Sequence, residues 1–63
     1  MNTKKIYNTL INRVRNESTL EGLRQLENES DNLYEMGCLR GFQFRQIDLL
    51  IMERMITMEV KYD

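Results

Sequence analysis

The chain has no histidine, proline, tryptophan or alanine, and a single cysteine. Without histidine there is no imidazole base, so Ser-His-Asp and Cys-His catalytic arrangements are excluded. Without a second cysteine there is no disulfide within the chain, and Cys38 alone leaves a structural zinc site without ligands. Gly22, Gly37 and Gly41 are scattered and form no phosphate-cradling loop. No stretch approaches the roughly 20 apolar residues of a membrane span. The first 16 residues are polar-amphipathic, so no signal peptide is expected. A free thiol without an export signal points to a reducing cytoplasm. Alanine is the best helix former, so its absence from a helical chain is not a stability choice. Codon bias in an AT-rich genome, that of a low-GC bacterium or its phage, accounts for it.

What is present is helical periodicity. The 63 residues suffice for one domain, spanning 1–63. A chain of about 60 residues buries only about 60% of its unfolded surface, so tight helix packing or oligomerisation must supply stability. With no proline, glycine and polar clusters mark the boundaries. The spacing predicts an all-α fold of three helices at about 3–15, 18–36 and 41–60. In the first, Ile6, Tyr7, Leu10, Ile11 and Val14 form one apolar stripe, and Asn2 or Thr3 supplies the N-cap. Ser18-Thr19-Leu20-Glu21 reads as a capping box that starts the second. There Leu23, Leu26, Ser30, Leu33 and Gly37 follow a coiled-coil-like seam, widened by Leu20 and Tyr34. Ser30 is small enough to let a facing helix approach, with its hydroxyl bonding back to the backbone. Gly37 fits a Schellman stop, which gives Cys38 a packing role as a small buried hydrophobe. The short connection to residue 41 then predicts an antiparallel hairpin of the second and third helices.

The third helix, residues 42–60, is apolar on two sides. Phe44, Ile47, Leu50, Ile51, Met55 and Met58 line one face, and Phe42, Leu49, Met52, Ile56 and Val60 another. Such a helix must be covered twice. The first helix spans only about 20 Å against about 28 Å for the third. Phe42 and Leu49 are therefore expected beneath the first helix or a second protomer, with Met52, Ile56, Val60 and Tyr62 left uncovered.

Charge is sorted along the chain. Residues 1–16 carry Lys4, Lys5, Arg13 and Arg15 and no acid; residues 17–35 carry six acids against Arg24. Two helix faces of opposite sign that attract each other in the fold are the simplest consequence. Glu27, Asp31 and Glu35 recur at i, i+4 and i+8, a solvated acidic face with nothing beside it to complete a metal shell. No metal and no cofactor are expected.

Leu33-Tyr34-x-x-Gly37-x-Leu39 followed by Gln43-Phe44-x-x-Ile47 resembles a helix–Gly-x-Leu–helix hairpin. That hairpin recurs in small all-helical proteins of phages and prophages of low-GC bacteria and in short oligomerisation modules of the SHOCT type. In those, the position of Arg40 is usually Ser or Thr and that of Gln43 is Glu, a second capping box; here only the glutamine stands. The resemblance covers about half the chain. It implies a helical hairpin and a phage or mobile-element origin, and carries over no functional residues.

These readings lead to a non-catalytic protein–protein interaction module, a phage- or prophage-encoded modulator or inhibitor of a host protein. A C2 homodimer through the third helices is the simplest self-association, and no membrane role is expected. The expected interface comprises Leu49, Met52, Met55, Ile56, Val60 and Tyr62, with charged contacts from Glu21, Asp31 and Glu35. The alternative is a small DNA-binding transcriptional regulator that sets Lys4, Lys5, Arg13 and Arg15 against phosphate. It is disfavoured because Arg45 and Arg54 on the third helix alternate with Asp48, Glu53 and Glu59, leaving no basic recognition face.

Overall fold

The computed structural model describes residues 2–61, without the side chains of Val60 and Lys61. It is all-α: α1 (Thr3–Asn16), α2 (Leu20–Glu35) and α3 (Gly41–Lys61). The last two form the antiparallel hairpin that the short connection requires. Each of α1 and α2 touches α3 more extensively than it touches the other. The helix α3 is thus the shared wall of the bundle.

The core follows the apolar stripes. Leu10 and Val14 from α1, Leu23 and Leu26 from α2, Leu39 from the connection, and Ile47 and Ile51 from α3 form one buried cluster. Ile6, Tyr7, Ile11, Leu33 and Leu50 pack half-buried around it. Ser30 is buried in the α2 seam, as its size allows, but its Oγ finds no partner among the described residues. The expected bond back to the backbone is absent, so the hydroxyl is an uncompensated polar group in the seam.

The helix ends show where local chemistry decides. Asn2 caps α1, its Oδ1 accepting from the Lys5 N–H at 3.1 Å. At α2 the cap is Thr19, not Ser18: Thr19 Oγ1 accepts from the Gly22 N–H at 2.9 Å, and the helix begins at Leu20. The reason lies one residue upstream of the expected box. The Glu17 carboxylate accepts from the Ser18 and Thr19 N–H groups, each at 3.2 Å, and from the Thr19 hydroxyl at 2.9 Å. That holds Thr19 extended and delays the first helical turn. A Cβ at Gly22 would collide with this carboxylate, so the glycine keeps the space above the turn open. The Arg54 guanidinium donates from Nη2 to the Glu17 carbonyl and fastens α3 to the same turn.

These contacts give the turn a pH dependence. The Thr19 hydroxyl first, then the Thr19 and Ser18 N–H groups and the Arg13 charge, hold the Glu17 carboxyl below its usual 4.5. A depressed carboxylate contributes stability that is fully present above its unfolded pKa and is lost as pH falls through the folded one. Glu17→Gln should therefore be less stable than wild type near neutral pH. The gap in thermal midpoint should close as pH falls below about 4. A gap that stays constant with pH would show that the carboxylate charge plays no part in the turn.

At the C-terminus of α2 the Schellman pattern is present. Gly37 has φ +81°, its N–H donates to the Tyr34 carbonyl at 3.0 Å, and the Cys38 N–H donates to the Leu33 carbonyl at 2.8 Å. Cys38 is buried there as a free thiol. Gln43 then starts α3 alone: its Oε1 accepts from the Arg40 N–H at 2.9 Å. This is the returning half of a capping box, and it is why a glutamine is buried at the hairpin tip. Tyr34 and Phe44 stack with ring centroids 4.6 Å apart and close the hairpin from outside.

Candidate interaction surface

The two faces of α3 have different fates. Ile47 and Ile51 are fully buried, and Phe44, Leu50, Met55 and Met58 are partly buried on the same side. The other face is open: Phe42 is 68% exposed, Leu49 52%, Met52 49% and Ile56 58%. Among the described residues, no second layer covers them. Of the two expected covers for Phe42 and Leu49, α1 or a second protomer, α1 does not reach them. The two shorter helices also contact each other, so both sit on the Ile47–Ile51 side, and neither can reach round α3. Met55, named among the expected interface residues although it shares the Ile47–Ile51 face, is half-buried against the core. Tyr62 lies outside the described residues, as does the Val60 side chain.

The result is a strip of exposed apolar side chains along α3. Its periphery is charged: Arg45, Glu53 and Glu59 are exposed around it, with Asp48 half-buried at one side. Near its N-terminal end Phe42 and Arg45 share an open surface hollow with Gly41, Phe44 and Asp48. An exposed apolar patch with a polar rim is the usual form of a protein contact site.

The other expected contact residues are separate from this strip. Glu21, Asp31 and Glu35 are exposed on α2. Lys4, Lys5 and Arg15 are exposed on α1, where Lys4 and Lys5 border a polar hollow with Asn2, Asn8, Thr9 and Asn12. Arg13 is not free for phosphate: it pairs with Glu29 of α2, Nη1 to Oε1 at 2.8 Å. This pair realises the attraction expected between the basic and acidic stretches. Both side chains are about half exposed, so it is worth at most about 1 kcal/mol.

Among the described residues, no three His, Cys, Asp or Glu side chains gather to hold a metal ion. No helix among them is long and apolar enough to cross a membrane. No protein-family profile, curated protein sequence or solved structure matches the chain.

Proposed function

We propose that this chain is a non-catalytic protein–protein interaction module, encoded by a phage or prophage, that binds and modulates a host protein in the host cytoplasm. The observation that carries this reading is the strip Phe42, Leu49, Met52 and Ile56, apolar and about half or more exposed along one face of α3. Methionine and large aliphatic side chains adapt to a partner's relief and release water on contact. The exposed carboxylates Glu21, Asp31 and Glu35 supply charge steering from α2. The phosphate-binding reading ranks second, because Arg13 is engaged by Glu29 and leaves a smaller basic set.

The test compares tagged wild type with Leu49→Glu and Ile56→Glu as bait in lysate of a low-GC bacterium. Both substitutions lie on the exposed face, so helicity and melting temperature should stay near wild type. Wild type should retain a specific host protein that both variants lose. Identical retention by all three folded proteins would overturn the strip as the binding surface.

A further inference from the structure

The arrangement of charge around the strip points to one occupant. Met52 lies in the C-terminal half of the strip, between Leu49 and Ile56. Arg45 lies seven residues before it and Glu59 seven residues after it, and both are exposed. A straight helix drifts only about 20° per seven residues, so all three stay on nearly one line. At 1.5 Å per residue each charge is about 10 Å from Met52 along the axis. Leu49 and Ile56 lie three residues before and four after it, beside that line.

We infer that the Leu49–Ile56 part of the strip, with Arg45 and Glu59 on either side of it, is self-complementary and pairs two copies of this chain through antiparallel α3 helices, with the two-fold axis at Met52. Under that operation each Arg45 meets the other copy's Glu59, each Leu49 meets an Ile56, and the two Met52 side chains meet on the axis. A two-fold contact requires a patch complementary to itself, and this spacing supplies it. Parallel pairing would set Arg45 against Arg45 and Glu59 against Glu59 and is disfavoured by like charge. The helix itself does not explain these signs. Glu59, an anion in the last turn of α3, runs against the dipole, and Arg45, past the first turn, draws nothing from it. The inference rests on reading the strip as an interface and adds its first partner. The self-pair and the host complex are alternative uses of the same strip, so binding of the host protein displaces the second copy.

Sedimentation equilibrium on the full chain tests this, with a charge-reversal cycle. Wild type should show a monomer–dimer equilibrium that strengthens with concentration. Arg45→Glu alone and Glu59→Arg alone should each weaken dimerisation roughly tenfold, because each replaces two attractions by two repulsions. Arg45→Glu/Glu59→Arg together should return to within about threefold of wild type. Both positions are exposed, so the reversals should leave the fold in place, and circular dichroism checks it. Wild type that sediments as monomer at every concentration overturns the pairing. A double variant no stronger than either single one overturns the antiparallel register. Neither result touches the host-binding reading, which fails only if Leu49→Glu and Ile56→Glu leave capture of a host protein unchanged.

Discussion

Ile51→Ala should remove much of the stability of this protein, while Ile56→Ala, five residues along the same helix, should leave it almost unchanged. Both positions carry the same side chain in α3, about 140° apart around it. Ile51 is fully buried in the cluster with Leu10, Val14, Leu23, Leu26, Leu39 and Ile47, whereas Ile56 is more than half exposed. Truncating a buried isoleucine costs about 2–5 kcal/mol, combining lost transfer energy with the cavity left behind. A domain of this size is stable by only about 3–9 kcal/mol in total. The Ile51 variant should therefore be largely unfolded near 37 °C or melt far below wild type. Ile56→Ala should stay within about 0.5 kcal/mol. Urea titrations at low protein concentration measure both, since there self-association adds nothing to stability. Similar losses at the two positions would mean that both faces of α3 are covered, and the exposed strip would lose its meaning.

The same helix shows how far sequence reasoning reaches. Period alone separates its two apolar faces and assigns Ile47 and Ile51 inward, because burial follows the 100° repeat. It cannot say which face a neighbouring helix takes, because that depends on where α1 lies once it packs against α2 as well. Helix length finds the exposure of Met52 and Ile56 but not that of Phe42 and Leu49, where the strip begins. Met55 shows the period at work, since it lies about 40° from Ile51 around the helix and packs against the core with it. The caps divide in the same way. The Schellman stop is legible because a glycine at a fixed offset has a single mechanical role. The start of α2 is not, because Ser18 and Thr19 both qualify as caps. The choice is made by Glu17, which a residue pattern that begins at the cap does not include. The Arg54 clamp on the Glu17 carbonyl joins residues 37 positions apart and leaves no local trace in the sequence.

Gly37→Ala should destabilise the protein by about 1–2 kcal/mol, the cost of placing a Cβ in left-handed backbone. The geometry makes this an unusually clean measurement. A Cβ built at Gly37 meets no atom within 4 Å, so crowding contributes nothing and the backbone conformation at φ +81° contributes all of it. Restricting the unfolded chain with alanine stabilises only where the native conformation suits it, and here it does not. Gly37→Asn should fall between the two, because asparagine tolerates the left-handed region better than alanine. The ordering Gly, Asn, Ala in denaturation midpoint, at constant slope, is the expected result. The turn matters beyond α2, because the connection from Met36 to Arg40 is held at one end by the Cys38–Leu33 bond and at the other by Gln43 on the Arg40 N–H. Those two fixtures set how α3 leaves the hairpin, and thus which of its faces turns outward with Phe42 at its head. Equal stability of all three proteins would show that α2 stops for some reason other than the left-handed glycine, and the direction of α3 would need another cause.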